Sequence, residues 1–451
     1  MSATARRYQD ALRQHLWTPF TQMNQYRSNP PLVITRGEGA WVWDIDGREY
    51  LDAHAGLWLV NVGYGRREII EAASRQLAEL AWFSSFVGFT NPRAVELAER
   101  LTGLLAPEGM TKIFFTSSGS ESVETALKIA RQFWRLIGQG SRYKIIARWG
   151  AYHGVTFGAT SAGGITRNRQ MFEPLLPGFL HIPAPYRYRC ERCRDLADCT
   201  LDCAEALRQA IEREGPETVA AFIAEPVMGG GGAIIPPQDY LRRIREICDA
   251  YGILFIADEV ITGFGRTGTW FGARRYGVKP DIMAFAKGIT SGYVPLGAVA
   301  VQEAIFEPFL KPAAEFRHGN TYSGHPVACA AALANLDVIE REALPERADR
   351  IGGHLLKRLR SLERFRCVGD IDMVGLMGRV ELVKDRETRE PFTPSAAVGA
   401  RVGAEALKEG VIFRPLGDVI TISPPLVLTE DEADRIVQAL ETAIERIARG
   451  L

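Results

Sequence analysis

From about residue 65 the chain settles into an alternation that leaves few folds open. Helix-patterned stretches are separated by short apolar runs at 113–115, 144–147, 221–224, 253–257 and 282–286. Short apolar runs bounded by turn residues read as buried strands. Buried strands that alternate with helices predict an α/β fold with a mostly parallel central sheet. Sheets of this kind bind ligands in the loops beyond the carboxyl ends of their strands. Candidate chemistry is therefore sought at those ends.

The flanks read differently. Near the N-terminus two alternating runs, Trp41-Val42-Trp43-Asp44 and Arg48-Glu49-Tyr50-Leu51, flank Asp46-Gly47, a hairpin signal. After about residue 325 a helix over 326–340 leads into further helices and short strands. A strand pair is expected at 411–413 and 419–422, around Gly417-Asp418. The last helix opens on Thr429 as N-cap, with Glu432 three residues on, a capping box. Its apolar face is Ile436, Leu440, Ile444 and Ile447. The expected organisation is a large domain over 65–325 and a smaller α+β domain. The smaller one is built from 326–451 and completed by 1–64.

Charge and composition exclude several classes. Lys and Arg number 54 and Asp and Glu also number 54, so no cationic surplus exists for nucleic-acid phosphates. Hydrophobic residues make up 46%, too many for a disordered chain. No stretch approaches the ~18 apolar residues of a membrane span, and the first ten residues lack the apolar core of a secretory signal. The seven cysteines fit a reducing cytoplasm better than a disulfide framework. Four of them, Cys190, Cys193, Cys199 and Cys203, follow a C-x2-C-x5-C-x3-C pattern with Arg187, Arg189, Arg192 and Arg194 interspersed. Four thiolates can hold zinc. This spacing is shorter than common ribbon or finger patterns, so a surface insertion without metal is expected.

Three constellations lie at strand ends. The run Phe114-Phe115 passes into Thr116-Ser117-Ser118-Gly119-Ser120-Glu121 and then a helix over 123–134. A helix N-terminus with small hydroxylated residues offers N–H and O–H donors to a phosphate. By itself it reads equally as an ordinary N-cap. The run Ile256-Ala257 ends in Asp258-Glu259, two acids that point into the ligand crevice or cap the next turn. The run over 282–286 ends in Lys287-Gly288. Desolvating an ammonium is costly and pushes it toward the neutral amine that forms Schiff bases. Alone, each has a plain structural explanation. Together, a phosphate cradle, a strand-end acid and a strand-end lysine are the needs of pyridoxal 5′-phosphate (PLP).

These residues, with their neighbours, resemble the class III aminotransferases of the fold-type I PLP enzymes. The matching pieces run in order along nearly the whole chain. They are Leu16-Trp17-Thr18-Pro19-Phe20-Thr21, the segment from Ala55 through Trp58 to Gly65, Ser118-Gly119-Ser120-Glu121, Tyr152-His153-Gly154, Ala224-Glu225-Pro226-Val227, the Asp258 and Lys287 segments, Asn320-Thr321-Tyr322-Ser323-Gly324-His325-Pro326, and Arg414-Pro415-Leu416-Gly417-Asp418. Within the family the nearest likeness is to ω-amino acid or amine:pyruvate aminotransferases.

The resemblance implies a role for each. Lys287 holds PLP and shuttles the proton between substrate and cofactor, and Asp258 keeps the pyridine nitrogen protonated. Ser118, Gly119 and Ser120 bind the phosphate, joined by Thr321 from the other subunit of a homodimer with shared active sites. Tyr152 covers one face of the ring and Val260 the other, while Glu225 holds Asp258 and its surroundings. Phe20, Trp58 and Phe86 wall the substrate pocket with Tyr152, and Arg414 takes the substrate carboxylate. The implied partners are a small amine and a keto acid, pyruvate being the expected acceptor, in a ping-pong reaction. A runner-up is the 7,8-diaminopelargonate aminotransferase of biotin synthesis. Its members usually carry an acid after Tyr-His-Gly, where this chain has Val155. A PLP mutase or racemase of the same fold is a further alternative.

Overall fold

The computed structural model describes residues 2–450 apart from 191, 192 and 197. Strands β1 (Ile34–Glu38), β2 (Trp41–Asp44) and β3 (Glu49–Asp52) form an antiparallel meander. The Asp46-Gly47 turn joins β2 to β3 as the dipeptide predicts. Gly47 takes φ +81°, and Asp44 Oδ1 accepts the N–H groups of Asp46 and Arg48, each at 2.9 Å.

The central sheet has seven strands: β4 (Met110–Thr116), β5 (Lys144–Arg148), β6 (Phe179–Ile182), β7 (Val219–Ala224), β8 (Leu254–Asp258), β9 (Ile282–Phe285) and β10 (Gly297–Gln302). Their order is β4-β10-β9-β8-β7-β5-β6. The five strands from β9 to β6 run parallel, and β10 lies antiparallel between β9 and β4. All five apolar runs fall in this sheet. Every residue of β7, β8 and β9 is buried, which is why those strands read as unbroken apolar runs. Because β4 and β9 both oppose β10, β4 points the same way as the parallel set. The carboxyl ends of β4, β5, β7, β8 and β9 therefore share one edge. The helix Gly119–Leu136 crosses behind them, capped by Ser118 and buried along Val123, Ala126, Leu127, Ala130 and Trp134.

The C-terminal part adds β11 (Val368–Val374), β12 (Met377–Leu382), β13 (Val411–Ile412), β14 (Arg414–Leu416) and β15 (Val419–Ile422). One expectation is corrected here. The partner of β15 across Gly417-Asp418 is β14, with Leu416 opposite Val419 and Arg414 opposite Thr421. A two-residue turn pairs the residues that flank it directly, so 411–413 stands too far back. Val411 and Ile412 instead pair in parallel with Leu51 and Asp52 of β3. Pro415 is tolerated because β14 is an edge strand in the order β11-β12-β15-β14.

The cysteine-rich segment is more than a surface insertion. Cys193 and Cys203 are buried, and burial pushes both thiols up to about 12. Cys193 Sγ lies 3.5 Å from Cys199 Sγ. Arg189 pairs with Glu381 of β12, and Arg389 donates to the Tyr188 carbonyl at 3.0 Å. The arginines thus clamp the segment to the C-terminal sheet. Arg192 lies outside the described residues. Among the described residues no three His, Cys, Asp or Glu side chains group as metal ligands.

The last helix, Glu430–Ala448, starts at the predicted capping box. Thr429 Oγ1 accepts the Glu432 N–H at 3.2 Å, and Glu432 Oε2 accepts the Thr429 N–H at 2.8 Å. The second Glu432 oxygen accepts the Trp41 indole N–H at 2.6 Å, tying the C-terminal helix to β2. Ile436, Leu440, Ile444 and Ile447 are all buried. Thr429→Ala removes one half of the box and is expected to cost about 1 kcal/mol. Hydrogen exchange over the first turn of this helix should accelerate. Unchanged exchange there would show that the Glu432–Trp41 bond alone anchors the helix start.

Candidate active site

The strand ends at the shared edge deliver polar side chains to a single cavity of about 120 Å³. Gly119 and Ser120 arrive from the loop after β4, Tyr152 and His153 from beyond β5, and Glu225 from β7. Asp258 and Val260 arrive from β8 and Lys287 from β9. Seven of the sequence-predicted residues are thus brought together by topology alone.

Asp258 is buried, with each oxygen engaged. Its Oδ1 accepts the Val260 N–H at 3.1 Å, and its Oδ2 lies 2.7 Å from His153 Nδ1. The carboxylate only accepts in this pair, so Nδ1 carries the proton. The His153 Nε2 is buried with no partner. His153 stood in the sequence as half of a loop dipeptide. Nothing there signalled that it is the partner of the strand-end acid, 105 residues away.

Glu225 does not bond Asp258. Its Oε1 accepts the Tyr152 N–H at 3.0 Å and its Oε2 the Gly229 N–H at 2.8 Å. Burial raises its carboxyl above the usual range. It holds the backbone that carries both Tyr152 and His153, and so reaches Asp258 through them.

Lys287 sits on a left-handed backbone, φ +48°. Asn335, a lone polar residue on the buried face of the helix Pro326–Arg341, fixes this turn. Its Nδ2 donates to the carbonyls of Gly288 and Ile289 at 2.9 and 3.0 Å. An amide buried in an alanine-rich helix was the signal that could have singled it out. Desolvation by the surrounding protein lowers the Lys287 ammonium to about 8, against the pull of Asp258 and Glu225.

On the phosphate side, Ser118 is exposed and its hydroxyl caps the helix, accepting the Glu121 N–H at 3.3 Å. Ser120 Oγ accepts the Val155 N–H at 3.0 Å, leaving its own proton to donate. A Cβ on Gly119 would stand 2.8 Å from Val260 Cγ1, so this position requires glycine. The Glu121 N–H is taken by the cap, and among the described residues the N–H groups of Gly119 and Ser120 have no protein acceptor beside the cavity.

Trp58 is buried on a left-handed backbone, φ +58°. Its ring lies 5.4 Å from Lys287 Nζ and 5.1 Å from Arg414 Cζ. Arg414, the first residue of β14, is partly buried, and desolvation lowers it from its ordinary value. It does not pair with Asp418, which accepts the Gly399 N–H at 3.0 Å. Among the described residues it has no carboxylate partner.

Phe20 lies further out, 69% exposed, on the wall of an adjoining chamber of about 400 Å³. Tyr152 and Gly154 line both spaces, so the chamber adjoins the Lys287 cavity. Phe86 and Thr321 do not reach the cavity of their own chain. The loop carrying Phe86 is bonded to 323–324, where Ser85 Oγ donates to the Ser323 carbonyl at 2.9 Å. Asn91 Nδ2 likewise donates to the Gly324 carbonyl at 2.8 Å. Phe86 packs over Gly319, and Thr321 is exposed on the same face. The placement of Phe86 as a pocket wall is therefore not met within one chain.

The residues present fit PLP: a desolvated lysine, a buried acid bonded to an imidazole, and a glycine-bounded helix start. Comparison with known proteins agrees. A family model, Aminotransferase class-III, matches residues 22–444. The putrescine–pyruvate aminotransferase of Pseudomonas aeruginosa is 43% identical, over 100% of this chain and 98% of its own. An adenosylmethionine-8-amino-7-oxononanoate aminotransferase of Geobacter sulfurreducens is 44% identical, over 97% of each chain. Among solved structures, an (S)-enantioselective omega-transaminase from Thermomicrobium roseum superposes with a TM-score of 0.95 at 45% identity, covering 99% of each chain. An amine transaminase from an uncultivated Pseudomonas species, in its PLP-bound internal aldimine form, gives 0.93 at 46% identity, covering 96% of this chain and 98% of its own. This chain belongs to the class III aminotransferases, PLP-dependent enzymes that move an amino group between an amine and a keto acid.

Proposed function

We propose that this enzyme transfers the amino group of an ω-amino acid or amine to pyruvate by a ping-pong mechanism, as a cytoplasmic homodimer. The observation that carries the reading is Arg414. An uncommitted guanidinium rests on Trp58, beside the reactive lysine, where a keto acid must place its carboxylate. Arginine suits bidentate carboxylate binding, and its flexible stem lets it withdraw when an uncharged tail enters.

When bound, PLP supplies an electron-withdrawing aldehyde and ring that acidify the substrate Cα–H. The chain's own residues do the rest. Asp258, oriented by the His153 Nδ1–H, holds a proton at the pyridine nitrogen. Lys287, lowered toward neutrality, presents an amine lone pair and afterwards carries the proton between carbon atoms. Ser120 and the N–H groups at the start of helix Gly119–Leu136 hold the phosphate. Tyr152 and Val260 bound the ring on its two faces, and Trp58 excludes water behind Lys287.

The dimer is supported by an exposed aromatic face. Trp82, Phe83, Phe86, Phe89 and Tyr322 are 40–60% exposed, beside Thr321. Contiguous apolar surface of this kind marks a contact surface. Thr321 and Phe86 then complete the active site of the partner. We further propose the division into a large domain over 65–325 and a smaller one from 1–64 with 326–451, joined by the β3–β13 pairing. The cytoplasmic location is supported by seven cysteines, none of them joined in a disulfide. No helix among the described residues is long and apolar enough to cross a membrane.

A donor and acceptor screen tests the reading. Turnover should be highest with pyruvate, and Arg414→Ala should raise KM for pyruvate about tenfold or more. KM for an uncharged amine such as phenylethylamine should move far less. Equal losses would make Arg414 structural, and activity restricted to S-adenosylmethionine as donor would favour the biotin-pathway reading.

Uptake of PLP by cofactor-free enzyme gives a pH test. Only the neutral amine of Lys287 attacks the aldehyde, so the uptake rate should rise with pH and reach half its plateau at about 8. Lys287→Ala should abolish both turnover and that pH dependence. A half-point near the ordinary lysine value would show that Lys287 is not desolvated.

Shared sites are tested by mixing. Lys287→Ala and Thr321→Ala enzymes, each impaired alone, should regain activity when their subunits are exchanged, because one site of the hybrid is intact. No recovery in a verified heterodimer would place Thr321 outside the partner's site.

A further inference from the structure

The outer chamber carries a charge that nothing described so far uses. Its walls are largely apolar, with Phe20, Phe157, Ile165 and Phe172 among them, and no carboxylate lines it. Arg167 and Arg169 project from the short helix Thr166–Arg169 onto this wall. The two differ in how they are committed. Arg169 is held in place: its Nη1 donates to the Gly163 carbonyl at 2.8 Å, and its Nε lies 3.6 Å from Glu173. Arg167 is exposed, and among the described residues it pairs with no carboxylate. It is close enough to Arg414 for its charge to lower that guanidinium's pKa.

Arg167 thus lines the outer chamber, while Arg414 stands with Lys287 on the Trp58 ring, and neither guanidinium pairs with a carboxylate among the described residues. The acids further in already have partners within the protein. Both Asp258 oxygens are engaged by His153 and by the Val260 N–H, and both Glu225 oxygens by backbone N–H groups. A substrate tail with a terminal cation would meet Arg167 with no counter-charge. A neutral tail would be accepted by the apolar walls alone. A tail of methylenes ending in a carboxylate would satisfy both the walls and the guanidinium.

We propose that Arg167 is a specificity-determining residue: it binds the terminal carboxylate of an ω-amino acid donor whose amine lies at Lys287. Arg414 serves the carboxylate next to the reacting carbon of the keto acid, and Arg167 serves the one at the far end of the donor. This rests on the aminotransferase reading with pyruvate as acceptor, and it selects ω-amino acids from the two donor classes named there.

The test uses holoenzyme, saturating pyruvate and three donors matched in length: ε-aminocaproate, hexylamine and hexamethylenediamine. For the wild type kcat/KM should fall in that order. R167Q should lower kcat/KM for ε-aminocaproate about tenfold or more, as expected for loss of a charge-assisted bond, mainly through KM. The same variant should shift hexylamine far less and should improve hexamethylenediamine. Raising ionic strength should raise KM for ε-aminocaproate in the wild type, and less so in R167Q. R167K, which keeps the charge, should restore part of the loss.

Equal losses for ε-aminocaproate and hexylamine would overturn the proposal and make Arg167 structural. A loss seen with 2-oxoglutarate as acceptor but not with ε-aminocaproate as donor would overturn it too, moving Arg167 to the acceptor half-reaction. Hexylamine and pyruvate separate this from the wider reading: if wild-type enzyme turns that pair over, the function stands whichever way Arg167 falls. If it turns over none of the donors, the function fails and the proposal with it.

Discussion

Taking an ammonium out of water disfavours its charged form, and an enzyme that needs a neutral lysine near pH 7 must supply that desolvation without also supplying a close counter-ion. Lys287 meets both conditions. Asp258 and Glu225 raise its pKa from a distance, but neither forms an ion pair with it, and burial outweighs them. The arrangement depends on each acid being occupied elsewhere. If His153 did not take up Asp258, or backbone N–H groups did not take up Glu225, a free carboxylate in the same cavity would recharge the lysine. The parallel sheet is what makes this separation possible. It brings together the acid at the end of β8, the amine beyond β9 and the imidazole from the loop beyond β5.

Strain in the backbone is concentrated around the same point. Lys287 and Trp58 both adopt left-handed conformations, which residues with a Cβ take only when their surroundings enforce them. The enforcing contacts come from elsewhere in the chain. Asn335 bonds the carbonyls after Lys287, and Asn61 donates to the Phe264 carbonyl at 2.9 Å while accepting from Arg266 Nη2 at 2.7 Å. Arg266 in turn donates to the Leu376 carbonyl at 3.1 Å. The N-terminal segment, the central sheet and the C-terminal strands therefore all bear on the lysine turn. A chain cut at either flank would lose the support of its reactive residue, although the sheet would be intact.

The sequence carried the fold well where burial leaves a mark. The strands β7, β8 and β9, buried on both faces, could be read as apolar runs, and the hairpin and the last helix as turn and cap chemistry. β6 and β10 could not. β10 is built from Gly, Ala and Val, which carry little periodic signal, and β6 is an edge strand of four residues. The site followed the same division. Lys287, Asp258 and the Ser118–Ser120 loop were legible because each ends a legible strand. His153, Asn335 and Arg167 were not, since their roles come from partners or spaces far away in sequence. Phe86 stands away from the Lys287 cavity of its own chain, a separation that motif order along a sequence cannot express.

The distribution of charge along the approach gives the pocket its direction. Inside, the acids are bonded to His153 and to backbone N–H groups, and outside, the uncommitted groups are cationic. An unpaired guanidinium held deep in protein would be strongly destabilising. Arg414 avoids that penalty in two ways: it is only partly buried, and its guanidinium faces the π-system of Trp58 at 5.1 Å, which substitutes weakly for an anion. A substrate carboxylate is a better partner for this guanidinium than the indole face. Trp58 is shared, because Lys287 faces the same ring. A carboxylate that draws Arg414 away from the indole thereby changes the electrostatic surroundings of the lysine. The Arg414 charge itself helps to lower the Lys287 ammonium, so the two groups are electrostatically linked.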